Sequence, residues 1–194
     1  MDITDNLIKE IDIYLKRNLL KKRYKHTIST ALTAKKLCKV FDIDRKKGYV
    51  AGLLHDIARD FDIDNLLKTV LKDGKGINSE EKEEPELLHG RAGAIIAQEL
   101  FDIDDREIIE AIQFHTTGSI GMGDLAKIIF IADYIEPHRK YITKEYVKNL
   151  FGRPLNEMFE IVLKSVIDYL AKKEKKVSEK TLQLLEEFEN ERKK

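Results

Sequence analysis

Apolar residues recur every three or four positions along most of the chain, which is the spacing that puts them on one face of an α-helix. Near the N-terminus, Ile8, Ile11 and Leu15 follow this spacing. Thr4 or Asp5 precedes them and is a suitable N-cap, because its side-chain oxygen can accept a hydrogen bond from a free backbone N–H. The pattern therefore predicts a helix from the first residues onward.

The same periodicity predicts a succession of further helices. They are expected at about 24–41, 45–60, 64–72, 86–101, 105–115, 124–135, 143–150, 155–173 and 178–192. Residues 72–76 form the clearest loop, because two glycines interrupt the helical pattern there. The acidic run 79–84 is expected to be exposed, and Pro85 suits the first turn of a helix. No segment alternates apolar and polar residues as a strand does, so the predicted fold is all-α.

The string Phe-Asp-Ile-Asp occurs at 41–44, 61–64 and 101–104. The flanking sequences differ and the spacing is irregular, which argues against a structural repeat. The glycine and the closing glutamate of an EF-hand calcium loop are also missing. We expect each string to end one helix with a buried Phe and to cap the next helix with an Asp.

The composition is that of a helical domain with charged outer faces. The chain has 194 residues, of which 42% are hydrophobic and 36% charged. We expect a single domain over 1–194, with its core at about 20–140 and a helical C-terminal extension at 141–194. Lys and Arg together number 35, as do Asp and Glu. This balance argues against nonspecific nucleic-acid binding, which requires a net basic surface.

Several features indicate a cytoplasmic protein. Cys38 is the single cysteine, so no intrachain disulfide can form, and its apolar surroundings predict a core position. The acidic N-terminus has no apolar segment typical of a signal peptide. The longest apolar run, 128–132, is too short to span a bilayer, so no membrane partner is expected.

Two acidic residues stand beside the most apolar stretches of the chain. Asp56, preceded by His55, follows the run 50–54, and Asp133 follows 128–132. Burying a carboxylate is costly unless a cation or several hydrogen-bond donors compensate it. A mid-helix position argues against a capping role for Asp133. A pair with Arg or His and a metal site both remain open.

Histidines accompany these carboxylates. The chain contains His26, His55, His89, His115 and His138. His115 closes an amphipathic helical pattern and precedes Thr116-Thr117-Gly118, which is expected to form a loop that enters a site. Imidazole and carboxylate groups contributed by several helices are the ligand set of catalytic zinc, iron or manganese.

The order of these residues resembles the HD-domain phosphohydrolase superfamily. That superfamily has a single His, then an adjacent His-Asp pair, then a distant Asp on a helix, and these four residues bind a divalent metal. The matching positions here are His26, His55, Asp56 and Asp133. The resemblance implies an HD-domain helical bundle, here with additional C-terminal helices.

Longer strings are similar to the YqeK-type branch of this superfamily, the symmetrical bis(5′-nucleosyl)-tetraphosphatases. They are Arg-Tyr-Lys-His-Thr at 23–27, Ala-Gly-Leu-Leu-His-Asp at 51–56, Leu-Leu-His-Gly at 87–90, His-Thr-Thr-Gly at 115–118 and Ala-Asp-Tyr-Ile-Glu-Pro at 132–137. In that branch two further histidines, matching His89 and His115, provide a second metal position. Asp56 would then bridge the two ions.

The resemblance implies a substrate and a cofactor. The substrate is a dinucleoside polyphosphate, diadenosine tetraphosphate, cleaved in the middle to two ADP. The cofactor is two divalent ions, with iron favoured and manganese, zinc, cobalt or nickel as other candidates. We expect catalytic roles for Asp56, Arg59 and Asp60, with Asp60 orienting a ligand histidine or pairing with Arg59. The expected substrate-binding residues are Arg23, Arg59, Thr116, Thr117, Gly118 and Arg139.

The chain departs from the branch pattern at two places. Ala58-Arg59-Asp60 stands where the branch usually has Ala-Lys-Asp, which keeps a cation of different geometry. His138 precedes Arg139 where the branch often has Gly, and we expect His138 to be a surface residue without a role at the site.

The sequence argues against two alternative functions and leaves others open. Alarmone hydrolases of the superfamily carry a Glu at the position of Arg59, and cyclic-dinucleotide phosphodiesterases carry a Gly-Tyr-Pro motif that is missing here. Other nucleotide phosphohydrolase activities and a non-catalytic nucleotide-binding module stapled by metal both remain open. The apolar face of Leu182, Leu185 and Phe188 could pack on the domain or on a second subunit, so a homodimer is also open.

Overall fold

The computed structural model describes residues 3–191, and within this range the chain is all-α, as the sequence predicts. The helices are α1 (Asp5–Asn18), α2 (Lys21–Val40), α3 (Arg45–Leu54), α4 (Ile63–Val70), α5 (Ser79–Glu83), α6 (Leu88–Phe101), α7 (Arg106–Phe114), α8 (Asp124–Ile135), α9 (Lys144–Leu150), α10 (Leu155–Lys172) and α11 (Glu179–Glu191). Short 3-10 turns at Leu71–Asp73 and Pro85–Leu87 complete the order. The expected end of the last helix at 192 lies outside the described residues.

Side-chain caps define several helix starts. The Thr4 hydroxyl accepts a hydrogen bond from the backbone N–H of Leu7, which confirms the predicted cap of α1. Thr143 caps α9 in the same way through the N–H of Tyr146. Each cap satisfies a backbone donor that the helix itself leaves free.

The helix expected at 45–60 is shorter than predicted. It ends at Leu54, and residues 55–60 form a run of turns. The N–H of Ile57 bonds to the carbonyl of Leu54, and the N–H of Arg59 bonds to that of Asp56. These hydrogen bonds join residues three apart, whereas those of an α-helix join residues four apart, so the chain coils more tightly after α3. The His-Asp pair therefore lies just past a helix end rather than inside a helix.

The acidic run 79–84 is partly structured rather than simply exposed. Residues 79–83 form the short helix α5, in which Asn78 and Glu81 make a reciprocal capping box. Glu81 is half-buried, because Arg91 extends to its carboxylate from α6.

The Asp caps predicted for the Phe-Asp-Ile-Asp strings form at two of the three places. Asp44 caps α3 and Asp62 caps α4. At the third string the prediction is wrong, because α7 is capped by Asp105, one residue past the string. Asp102 instead takes a left-handed conformation that ends α6. The three Phe rings pack against the core but are half-buried rather than buried, and Phe61 follows a run of turns instead of ending a helix.

Helix α8 forms the centre of the bundle, with α2, α3, α7 and α10 packed around it. Its residues Ile128, Ile129 and Ile131 are fully buried. Phe159 of α10 joins the same core, and its ring lies 5.1 Å from that of Phe130. A helix that is apolar on nearly every side can be stable only in such a central position.

The last helix covers the outer side of α10. Phe188 contacts Phe159, with 5.8 Å between ring centroids, and Leu185 packs against the core, whereas Leu182 is exposed. Packing within the chain thus accounts for most of this apolar face. Within residues 3–191, no helix combines the length and the apolar character that crossing a membrane requires.

Candidate functional site

Four histidines meet at the inner ends of helices α2, α3, α6 and α7, and all four are buried. In three of them, Nδ1 hydrogen-bonds to the backbone carbonyl three residues earlier. These pairs are His55 with Gly52 at 2.7 Å, His89 with Glu86 at 2.5 Å and His115 with Ile112 at 2.8 Å. Because Nδ1 is held in this way, Nε2 of each ring remains available to a ligand inside the site.

Two glycines allow the helices to approach closely enough for these histidines to meet. At Gly52, a Cβ atom would lie 2.6 Å from Cα of Ala31, where α3 crosses α2. At Gly90, a Cβ would lie 2.7 Å from the carbonyl oxygen of Gln113, where α6 crosses α7. The first crossing joins the helices of His26 and His55, and the second joins those of His89 and His115.

Asp56 lies between the two histidine pairs. Its Oδ2 is 3.4 Å from Nε2 of His55 and 3.6 Å from Nε2 of His26. Its Oδ1 is 3.5 Å from Nε2 of His89 and 3.6 Å from Nε2 of His115. Each carboxylate oxygen thus faces a different pair of imidazoles, which is the arrangement of a bridging carboxylate.

Asp133 reaches the first pair from α8. Its Oδ1 lies 2.9 Å from Nε2 of His26 and 3.8 Å from Nε2 of His55. Its carboxylate also pairs with the guanidinium of Arg139. Asp133 therefore contacts an arginine and two histidines, which compensate the cost of placing its carboxylate beside an apolar stretch.

The residues form two groups that could hold metal ions and that share Asp56. One contains His26, His55 and Asp56, and the other contains Asp56, His89 and His115. Nε2 of His55 is buried and makes no hydrogen bond with any described residue. An unsatisfied buried nitrogen is costly, and a divalent cation at this position would satisfy it. The donor set of imidazoles and carboxylates fits such a cation.

The protonation states suit metal binding in the second group. Burial, together with the charge of neighbouring His115, lowers the pKa of His89 to about 3, so this ring is neutral at pH 7. Burial alone would raise the pKa of Asp56, but the neighbouring rings of His55, His115 and His89 hold it well below its usual range. A neutral imidazole and an ionised carboxylate are the forms that bind metals.

Glu136 contributes to the site although the sequence analysis assigned it no role. It is 1% exposed, and its Oε1 lies 3.0 Å from Nδ1 of His26. A carboxylate that orients a ligand histidine is the usual outer partner in metal sites. Its position in the Ile-Glu-Pro string, close to Asp133, was the available signal. His138 is exposed, as expected, and its backbone N–H donates to Glu136.

Three arginines surround the cluster, and all three were predicted to bind substrate. Nη1 of Arg23 lies 2.6 Å from Oδ2 of Asp56. Arg139 holds Asp133 and also donates through Nε to the Asp133 carbonyl at 2.9 Å. Nη2 of Arg59 lies 3.1 Å from Oε2 of Glu86. The three side chains line one cavity, and each of them is paired with a carboxylate.

The Thr-Thr-Gly turn is only partly at the site. The Thr116 hydroxyl lies 3.1 Å from Nε2 of His89 and 3.0 Å from Nε2 of His115. Thr117 also lines the cavity. Gly118 does not fit its predicted role, since its N–H already donates to the carbonyl of Phe114 and cannot serve a phosphate.

Asp60 also lies elsewhere than predicted. Its carboxylate is exposed and accepts a hydrogen bond from the backbone N–H of Leu20 at 3.0 Å. Asp60 therefore fixes the start of α2. Its position supports neither the orientation of a ligand histidine nor a pair with Arg59, whose carboxylate partner is Glu86.

A cavity of about 530 Å³ extends from the cluster toward the C-terminal helices. Its lining also includes Tyr134, Tyr141 and Tyr169, together with Lys175 and Thr181. Tyr134 lies in the Ala-Asp-Tyr-Ile-Glu-Pro string but was assigned no role. The other residues come from separate parts of the chain and form no motif. This volume lies within the usual range for a small-molecule site.

Comparison with known proteins places this geometry in a family context. The HD domain family model matches residues 23–138. A curated relative from Halalkalibacterium halodurans, named bis(5′-nucleosyl)-tetraphosphatase, symmetrical, is 36% identical over 87% of this chain and 89% of its own length. A relative of the same name from Bacillus subtilis is 34% identical over 84% of this chain and 87% of its own length.

A solved structure shares the fold. It is that of a protein from Clostridium acetobutylicum, described as a predicted HD superfamily hydrolase involved in NAD metabolism. It superposes with a TM-score of 0.86 and 33% identity, and the match covers 92% of this chain and 95% of the other.

Proposed function

The chain belongs to the HD domain family, and from this premise we propose that it hydrolyses diadenosine tetraphosphate symmetrically to two ADP. The observation that carries the proposal is the placement of Asp56, whose two oxygens face two separate pairs of histidines. Relatives named for this activity match most of the chain. The geometry of the site and the names of the relatives thus support the same reaction.

We infer that the site holds two divalent ions. His26, His55, Asp56 and Asp133 would hold one, and Asp56, His89 and His115 the other. Bound ions of this kind supply Lewis-acid stabilisation of phosphate oxygens and make a water molecule more acidic. We propose iron as the metal because the YqeK-type branch favours it, although the same ligands also suit manganese, zinc, cobalt and nickel.

The arginines would bind the polyphosphate chain. Arg23 and Arg139 lie next to the carboxylates of Asp56 and Asp133, so a phosphate placed beside the cluster meets both guanidiniums. Arg59 lies farther out beside Glu86 and is placed for the next phosphate. Planar guanidiniums match pairs of phosphate oxygens well. Their fixed charge offsets the charge that develops on the leaving group.

The reaction requires one water molecule and no redox partner. The water oxygen forms a bond to one of the two central phosphorus atoms, and the bond from that phosphorus to the bridging oxygen breaks. One ADP leaves with the bridging oxygen and the second ADP carries the water oxygen. Both protons of the water go to solvent when the terminal phosphates of the two ADP are ionised. Because ADP departs as a stable anion, the site needs no strong general acid.

The test is to determine the products of the metal-analysed protein by ion-exchange chromatography. ADP as the sole product is expected, with one ¹⁸O atom per two ADP when the reaction is run in labelled water. ATP plus AMP would overturn the symmetrical position of cleavage. No turnover of this or other nucleotides by metal-loaded protein would instead favour a binding module.

Asp56→Asn is the matched control, because it keeps the shape of the side chain and removes the charge. Loss of a partner that only orients a ligand already lowers metal affinity or activity 10- to 100-fold. We therefore expect Asp56→Asn to lose at least about 100-fold in turnover while its helical circular dichroism is unchanged. Wild-type turnover in this variant would contradict the role of Asp56.

A further inference from the structure

Part of the cavity wall is aromatic. Tyr134 of α8, Tyr141 of the following loop and Tyr169 of α10 line it, together with Val166 and Leu170. The arginines and the carboxylates of the cluster line the same cavity. The cavity therefore combines groups suited to phosphate with rings suited to a flat apolar group.

Tyr141 is the ring in this wall that remains most available. It stacks on Tyr169 with 4.7 Å between centroids and 26° between ring planes. Even so, 42% of Tyr141 is exposed. The hydroxyls of Tyr134 and Tyr146, by contrast, are hydrogen-bonded to Ser165, so these two rings tie α8 and α9 to α10.

The loop that carries Tyr141 also carries Arg139. This loop is fixed by successive turns, since the N–H of Arg139 bonds to the carbonyl of Glu136 and the N–H of Ile142 bonds to that of Arg139. Arg139 in turn holds Asp133 of the cluster. A cation and a partly exposed aromatic ring are thus two residues apart on an anchored loop, beside the same cavity.

We propose that the exposed face of Tyr141, supported from behind by Tyr169, binds one nucleobase of the substrate by stacking. This inference rests on the proposed function, because it takes the ligand to be a nucleotide whose phosphates lie at the histidine cluster. Stacking is tolerant of base identity, since every base presents a π-face. The site therefore selects a nucleotide over a bare polyphosphate, and it accepts guanine as well as adenine.

The experiment compares ADP with inorganic pyrophosphate by isothermal titration calorimetry on the metal-loaded protein. The wild type should bind ADP roughly 5- to 150-fold more tightly than pyrophosphate, which is the contribution of one stacked base. GDP should bind within a few-fold of ADP. Tyr141→Leu should remove the advantage of ADP and leave pyrophosphate affinity unchanged. Tyr141→Phe, which keeps the ring, should retain it.

Proton NMR of ADP bound to the zinc-loaded protein gives an independent readout, because zinc is diamagnetic. Stacking should shift the base protons upfield in the wild type and in Tyr141→Phe, but not in Tyr141→Leu. Equal binding of ADP and pyrophosphate by the wild type, or equal weakening of both by Tyr141→Leu, would overturn the base site.

The outcome separates this inference from the proposed function. If ADP binding depends on Tyr141 but diadenosine tetraphosphate is not cleaved to ADP, the base site stands and the proposed reaction fails. If the reaction proceeds and the Leu variant binds ADP as the wild type does, the reaction stands and the base site is wrong.

Discussion

At the residue scale, Glu136 shows how a buried carboxylate can act through a neighbour. It hydrogen-bonds to Nδ1 of His26, while Nε2 of the same ring faces Asp133 and Asp56. Burial alone would raise the pKa of Glu136, but hydrogen bonds from His26, the His138 N–H and Ser29 lower it to about 2. The side chain is therefore charged under all ordinary conditions.

We expect Glu136→Gln to lower metal affinity about 10- to 100-fold, the usual cost of losing an outer partner of a ligand histidine. The amide keeps the size of the side chain and removes its charge. Metal titration followed by mass spectrometry of bound ions would measure the effect. His138→Ala is the control, because that exposed ring touches Glu136 but faces away from the ligands. Unchanged affinity in Glu136→Gln would show that His26 needs no anchor.

His26 makes the stability of the metal-free protein depend on pH. Burial lowers the pKa of His26, but hydrogen bonds to Asp133 and Glu136 outweigh it and raise the pKa to about 9. The unfolded value is near 6.5. Protonated His26 therefore stabilises the fold fully below pH 6.5, and this contribution is lost as the pH rises through 9.

A decrease in Tm of roughly 5–10 °C is expected between pH 6.5 and 9 for the chelator-treated protein, since this shift corresponds to about 3 kcal/mol. Thermal unfolding followed by circular dichroism measures it. His26→Gln cannot titrate and should show a much flatter profile. A wild-type profile as flat as that of the variant would contradict the assignment.

At the element scale, two helix crossings determine whether the histidines meet. Gly52 lies against the backbone of Ala31, and Gly90 lies against the backbone of Gln113. Backbone atoms cannot turn aside as a flexible side chain can. Any side chain at these positions must therefore move the helices apart.

Gly52→Ala and Gly90→Ala are each expected to destabilise the protein by about 1–3 kcal/mol, the usual cost of overpacking. Alanine by itself stabilises a helix by about 0.5–1 kcal/mol relative to glycine. A net loss of stability would therefore come from the collision of the new Cβ with the facing backbone. Denaturant unfolding would measure stability, and metal content would measure the site.

Gly76→Ala is the control, because a Cβ there meets no atom within 4 Å, and its effect should remain within about 0.5 kcal/mol. If Gly52→Ala or Gly90→Ala were as stable as this control and fully metalated, the close approach would not matter.

At the scale of the whole molecule, His26 and His89 lie in two helices, His55 and His115 follow the ends of two others, and Asp133 comes from a fifth helix. A metal bound at their meeting point ties these helices together in the folded state alone. Binding that favours the native state stabilises it by about 4 kcal/mol when the free ligand is at 1,000 times its Kd.

Removal of metal should therefore lower the Tm by on the order of 10 °C for a chain of this length. Differential scanning calorimetry with and without chelator measures the difference. Asp56→Asn should show little response to chelator, since it loses the carboxylate shared by both groups. A chelator effect of equal size in the variant would place the stabilising metal elsewhere.

The sequence by itself determined the class of fold and most of the helix bounds, because a 3.6-residue periodicity and local caps are properties of neighbouring residues. The predicted helix 124–135 coincides with α8, and the cap at Thr4 is formed. The histidines and carboxylates were also predictable, since Asp56 and Asp133 stand beside apolar runs where a carboxylate needs a partner.

The tertiary structure alone decided which polar groups the site includes. Asp60 and Gly118 belong to strings near the site, yet each satisfies a backbone group elsewhere. Tyr141 and Tyr169 are 28 positions apart in the sequence and belong to no motif, yet they stack in the cavity wall. Which backbone group a polar residue bonds to, and which distant helices approach each other, depend on the packing of the folded chain. A local sequence pattern does not contain this information.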